Sequence, residues 1–175
     1  MWSIVNMYDI IKGMNINRRT NLITWSKTFM CGIKIIDDQH KSLVDMVNEM
    51  FSHVPKNEKE EKDYLESILQ EAVKYIKIHF ATEERILTAT KFKGYAEHKK
   101  AHDQFIIKVT ENVMELKSGK RLTLLSYTKF LKEWVLSHIA VMDKQYFEYF
   151  KMIATRKTDG KLSITSDDVK NLDTQ

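Results

Sequence analysis

The 175-residue chain has a single proline, Pro55, and five glycines. Both residue types are costly inside a helix, so their scarcity favours long uninterrupted helices. Cysteine is almost missing as well. Cys31 stands alone, which excludes an internal disulfide and makes a reducing, cytoplasmic setting the default reading. Within Phe29-Met30-Cys31-Gly32 it reads as a small buried apolar residue rather than a redox group. No apolar run approaches the roughly 20 residues that a membrane span needs, so no membrane partner is expected. Residues 1–14 are moderately apolar, yet they lack a basic start and a small-residue cleavage site, and Asp9 interrupts them; a signal peptide is not expected. An excess of either charge is also lacking. Twenty-eight basic and 24 acidic residues leave a net charge of +4, which is no electrostatic footprint for nucleic acid.

What is present fits a soluble globular protein: 43% of residues are hydrophobic and 30% charged. The length suits one domain with a real core. Four segments carry a helical period. In the first, Ile36, His40, Leu43, Val47, Met50 and Val54 recur at spacings of three and four, and Pro55-Lys56-Asn57 ends the run. The second starts in the charged stretch Glu58 to Asp63, taken as a solvated helix start. It continues through Leu65, Leu69, Ala72, Ile76, His79, Glu83 and Leu87, with a break over residues 90–94. The third covers 95–117 with Tyr95, His98, His102, Phe105, Val109, Val113 and Leu116 on one face, closed by Ser118-Gly119-Lys120. The fourth runs from about 122 to 155 with Leu124, Tyr127, Leu131, Trp134, His138, Met142, Tyr146 and Phe150. Short links between long helices predict an all-α, up-down-up-down four-helix bundle over 22–155. Residues 1–21 form an N-terminal extension in this reading, and the polar residues 156–175 form a flexible C-terminal tail.

The polar residues that interrupt these apolar stripes carry the functional signal. They are His40 on the first helix, His79 and Glu83 on the second, His98 and His102 on the third, and His138 on the fourth, with Asp143 five residues later. Residues four apart lie one turn above each other on one face, so His79/Glu83 and His98/His102 each present two donors to one point. In ideal α-helix geometry a five-residue step rotates by about 140°, so Asp143 is expected to reach in sideways from the next turn. A lone histidine on an apolar face is usually a core residue bonded to a carbonyl. Five of the six histidines on the core stripes of four helices are another matter. Burying these imidazoles and two carboxylates uncompensated would cost several kcal/mol per group, and a metal site supplies the missing partners. His53 falls off its helix's stripe and reads as a surface histidine. Glu84, rotated about 100° from Glu83, reads as solvated or as a support behind a ligand.

Seven donors are too many for one tetrahedral zinc, and five imidazoles are too nitrogen-rich for magnesium or calcium. Two octahedral first-row ions sharing the carboxylates would use all seven; iron leads, with manganese as the alternative. The Glu-x-x-His spacing of carboxylate di-iron bundles is absent, so the site belongs to a separate, nitrogen-rich class.

From residue 23 to about 150 the sequence resembles the bacterial hemerythrin family. Trp25 is followed by Gly32-Ile33-Lys34-Ile35-Ile36-Asp37-Asp38-Gln39-His40, then His79-Phe80-Ala81-Thr82-Glu83-Glu84. Gly94-Tyr95-Ala96-Glu97-His98, His102 and His138-Ile139-Ala140-Val141-Met142-Asp143-Lys144-Gln145-Tyr146 complete the pattern. The resemblance implies two iron ions per chain, bridged by an oxo or hydroxo group together with Glu83 and Asp143. His98, His102 and His138 would hold one ion, and His40 and His79 the other, which keeps a place open for dioxygen. In that family the bridging hydroxide supplies the proton that accompanies electron transfer, so the protein's task is to keep the pocket dry. Trp134 and Val135 are the implied pocket residues. Val135 departs from the family, which usually carries leucine there, and Leu136 is the residue that could swing into the gap.

The expected function is reversible dioxygen binding, for storage, delivery or sensing, and no enzymatic activity. Two alternatives use the same site. One is a di-iron enzyme reducing oxygen, peroxide or nitric oxide, disfavoured because a nitrogen-rich shell stabilises high-valent iron poorly. The other is a redox- or oxygen-sensing interaction module, whose contact with an unidentified protein partner would fall to the flanking segments.

Overall fold

The computed structural model describes residues 21–119 and 122–149, so the expected N-terminal extension, the tail and the last turn of helix four lie outside the described residues. A short 3₁₀ turn, Lys27–Phe29, precedes four long helices. They are α1 (Lys34–Ser52), α2 (Glu58–Ala89), α3 (Tyr95–Lys117) and α4, which starts as Leu124–Trp134. Helix α4 then changes its winding over Val135–Met142 and returns to α-helix over 143–149.

The local sequence accounts for each boundary. Asp37 caps α1 from within its first turn, accepting from the backbone N–H of Cys31 at 2.6 Å and of Gly32 at 3.1 Å. Gly32 sits at φ +82°, a left-handed conformation that a residue with a Cβ adopts at a cost. Asn57 caps α2 by accepting from Glu60 N–H, and Glu58, Glu60 and Glu61 complement the dipole of its first turn. Glu61 is more than solvated, because its Oε1 accepts from the Leu124 N–H at 2.8 Å and ties the start of α2 to the start of α4. Thr123 and Ser126 form a reciprocal cap at that start. Gly119 follows α3 at φ +76°, the helix stop expected from its position.

Cross-contacts fix the up-down-up-down course. His53 at the end of α1 stacks on Tyr64 near the start of α2, as antiparallel neighbours must. The Tyr149 hydroxyl, late in α4, donates to the Thr90 carbonyl just beyond α2, so those diagonal helices run the same way. This course brings the start of α1, the end of α2, the start of α3 and the end of α4 to one end of the bundle. His40, His79, Glu83, His98, His102, His138 and Asp143 all lie near that end.

Two apolar clusters flank them. The larger fills most of the bundle with residues such as Leu43, Val47, Leu65, Phe105, Tyr127, Leu131 and Ile139. The smaller, built from Ile33, Ile36, Ile86, Leu87, Tyr146 and Phe147, closes the near end. No helix among the described residues is long and apolar enough to cross a membrane.

Leu131 is wholly buried in the larger cluster. Leu131→Ala is therefore expected to lower stability by about 2–5 kcal/mol in a urea titration, with helix content retained below the transition. A loss under about 0.5 kcal/mol would mean that α4 does not pack in this register.

Candidate metal centre

The seven donors read from the stripes meet in one layer, and none exposes more than 2% of its surface. Glu83 Oε2 lies 3.0 Å from His102 Nε2, 3.2 Å from His98 Nε2 and 3.6 Å from His79 Nε2. Asp143 faces His40 Nε2 at 3.2 Å through Oδ2, and His138 Nε2 at 3.2 Å and His98 Nε2 at 3.6 Å through Oδ1. Two tight donor groups result: Glu83, His98, His102 and His138 in one, and His40, His79 and Glu83 in the other. Glu83 belongs to both.

The winding of α4 corrects one expectation. Val135–Met142 is a π-helical segment, in which the Asp143 N–H bonds the His138 carbonyl. A turn closed by i→i+5 bonds places residue i+5 more nearly above residue i than an α-helix does. Asp143 therefore stacks over His138 instead of reaching in sideways. The wider turn also keeps Tyr146 and Phe147 on the core side, where both are buried.

Hydrogen bonds behind the rings set the tautomers. His40 Nδ1 donates to the Phe29 carbonyl at 3.2 Å, His79 Nδ1 to Gln39 Oε1 at 3.0 Å, and His102 Nδ1 to Glu84 Oε1 at 2.9 Å. Each of these bonds leaves a lone pair on Nε2, aimed at a carboxylate oxygen 3.0–3.6 Å away. Lone pair facing lone pair is repulsive unless a cation stands between them. His40 Nε2, His79 Nε2 and both Asp143 oxygens have no hydrogen-bond partner at all among the described residues. The donor set thus fits metal ions, and its mixture of imidazole and carboxylate suits first-row transition metals.

Electrostatics of the metal-free layer point the same way. Burial pushes the His79 imidazole down to about 3 against the pull of Glu83, so it stays a neutral ligand. Burial likewise holds His138 well below the usual imidazole range. Glu83 resists its own burial, because His79, His102 and His98 hold its carboxyl well below the usual range. Burial and the Glu83 charge push Asp143 up to about 6. Burial would lower His40 and His98, but the nearby carboxylates, Asp143 for the first and Glu83 for the second, outweigh it and raise both. Without metal, protons occupy part of the layer.

Several residues around the donors escaped the sequence reading. Tyr146 donates its hydroxyl to Glu83 Oε1; its place on the stripe three residues after Asp143 was the available signal. Gln39, beside His40, orients His79 across the helix pair, and its stripe position gave no hint of this. Phe80 stacks on His102 at 3.7 Å, and Tyr75 on His79 at 4.9 Å. The Tyr75 hydroxyl is buried with no partner among the described residues, an arrangement that costs about 1–3 kcal/mol. Glu84 proves to be the support behind His102. His53 is half-buried rather than a surface residue, stacked 3.7 Å from the Tyr64 ring and apart from the metal layer. Cys31 is half-buried, its thiol pushed upward by burial and by Asp37, which leaves it inert.

Trp134 stacks on His138 at 4.0 Å and packs against His102, so it backs the three-histidine side of the layer. Val135 is fully buried, and Leu136 is 43% exposed, so Leu136 does not swing inward.

Comparison with known proteins agrees with this geometry. The family model described as Hemerythrin HHE cation binding domain matches residues 31–150. The chain is 30% identical over 126 residues to the bacteriohemerythrin of Pseudomonas aeruginosa strain PAO1, covering 72% of this chain and 80% of that protein. It is 29% identical to the bacteriohemerythrin of Clostridium acetobutylicum over 130 residues, 73% of this chain and the whole of that one. A solved wild-type hemerythrin superposes with a TM-score of 0.64 at 26% identity, covering 73% of this chain and 96% of that one. A solved hemerythrin with leucine replaced by alanine superposes at 0.65 and 25% identity, covering 74% and 97%.

Metal entering the layer must displace the protons that these side chains hold in its absence. Anaerobic addition of ferrous ion to the metal-free protein near pH 7 should therefore release protons, measurable in a pH-stat. Affinity should fall as pH is lowered from about 8 to 5, because the raised His40 and His98 hold their protons more firmly there. Uptake of metal with no proton release would contradict the described ligand set.

Proposed function

Because the chain belongs to the hemerythrin HHE cation-binding family, we propose that it binds dioxygen reversibly at a non-haem centre of two iron ions. One observation carries the reading: five imidazoles and two carboxylates, all buried, converge in a single layer, where His40 Nε2, His79 Nε2 and both Asp143 oxygens have no hydrogen-bond partner among the described residues. In this reading His98, His102 and His138 would hold one ion and His40 and His79 the other, with the carboxylates of Glu83 and Asp143 shared between them. The chemistry such irons supply is electron donation to dioxygen that reverses when it leaves.

The chain's own residues do the rest. Phe29, Gln39 and Glu84 fix the tautomers of His40, His79 and His102, so each offers Nε2 without reorganisation. Tyr146 holds the bridging carboxylate of Glu83 through its hydroxyl. With two histidines against three, the His40–His79 side would be the one to take dioxygen. The apolar clusters above and below exclude water and outside protons, which protects the reduced state. Val135, wholly buried on α4, is proposed as a wall of the oxygen pocket.

The protein is read as a binder and not an enzyme, with residues 22–155 as the working unit. The relatives are named hemerythrins, and a nitrogen-rich shell suits reversible electron donation better than high-valent iron. The lone cysteine and balanced charge support a cytoplasmic protein without a nucleic-acid partner.

Stopped-flow mixing of the reduced protein with oxygen, followed by evacuation, tests the function. Recovery of the reduced spectrum supports a carrier; steady oxygen consumption without recovery would overturn it. Metal analysis should give two irons per chain. His79→Ala should lose at least the iron on its side, while His53→Ala keeps both; equal loss in the two variants would place the centre elsewhere.

A further inference from the structure

We propose that Tyr75 is a ligand-positioning residue: its hydroxyl donates a hydrogen bond to a small anion or diatomic ligand seated on the His40–His79 side of the layer. The inference rests on the two-metal reading above and concerns what greets the ligand there.

Tyr75 lies one turn before His79 on α2, so both side chains share a face. Its ring stacks on the His79 imidazole at 4.9 Å with planes inclined by 27°, and His79 in turn meets the edge of His40 at 5.0 Å. Tyr75 therefore belongs to the two-histidine side. Its hydroxyl is buried and has no hydrogen-bond partner among the described residues. Phenylalanine would fill the same space without the cost of burying that hydroxyl.

Other buried donors lack this combination. Tyr146 already gives its proton to Glu83. Trp134 Nε1 is also without a partner, but its ring lies on His138 and His102, where three imidazoles leave no room. The Tyr127 hydroxyl is unpartnered within the larger apolar cluster, and its ring packs on Phe130 with no histidine. Among the described residues, only Tyr75 couples a buried donor without a partner to the two-histidine side. Azide and dioxygen each present an outer atom able to accept such a bond.

The test uses the iron-loaded, oxidised full chain titrated with azide, for native protein and Tyr75→Phe. Phenylalanine keeps the ring on His79 and removes only the hydroxyl. The variant should retain both irons and the native melting temperature or a higher one, yet bind azide roughly tenfold more weakly. The bound azide's infrared stretch should shift in deuterated water in the native protein and lose that shift in the variant. Tyr75→Phe binding azide with native affinity and an unchanged isotope shift would overturn the role of Tyr75 alone. A native protein that holds no iron pair, or that ignores azide, would overturn the two-metal reading and this inference with it.

Discussion

Everything in the bundle is arranged around one electrostatic demand: a buried layer of imidazole and carboxylate lone pairs that requires positive charge. In water each of these groups is well solvated. In the layer, all seven are withdrawn from solvent, and the carboxylates of Glu83 and Asp143 face nitrogens across 3.0–3.6 Å. Such an arrangement is tolerable only when cations stand in the gaps. Hydrogen bonds from Nδ1 to Phe29, Gln39 and Glu84 prevent the rings from turning away to find other partners. The outer partners thus maintain the very conflict that metal ions resolve.

The rest of the fold positions that layer. Opposed helix directions bring early and late segments of the four helices to one level, so the donors come from distant parts of the sequence without any helix being broken. The one irregularity is placed where it matters. A π-helical turn between His138 and Asp143 allows both to face the layer and still leaves Tyr146 and Phe147 buried beyond it. Had α4 been uniformly α-helical, the five-residue spacing would have turned Asp143 away from its histidine. π-bulges are rare and concentrate at functional sites, consistent with this use.

The donors themselves were legible in the sequence because polar residues on an apolar stripe are conspicuous. His40, His79, Glu83, His98, His102 and His138 all revealed themselves by helical spacing, and the extents of α2 and α3 followed from caps, glycines and charge. The winding around Asp143 was not legible, since a spacing of five reads as a rotation when α geometry is assumed. Gln39 and Tyr75 were hidden for another reason. Their roles depend on contacts between rings or across helices, and nothing in their own segments sets them apart from ordinary partly buried residues. The contact between the Trp134 ring and His138 was not legible either; a position on a stripe gives the level in the bundle, not the neighbour. His53 looked exposed because it falls off its stripe, but the start of α2 covers it with Tyr64.

The polar layer also cuts the hydrophobic core into unequal parts. Among the described residues, what lies beyond it is the small cluster of Ile33, Ile36, Ile86, Leu87, Tyr146 and Phe147, while most of the apolar contact lies on the other side. The two parts are joined through side chains that cannot hold each other without positive charge. The thin end of the bundle is therefore the segment with least to keep it shut when the layer is empty, and the long end can stay folded while it opens. Metal bound in the layer would fasten that end to the rest of the bundle.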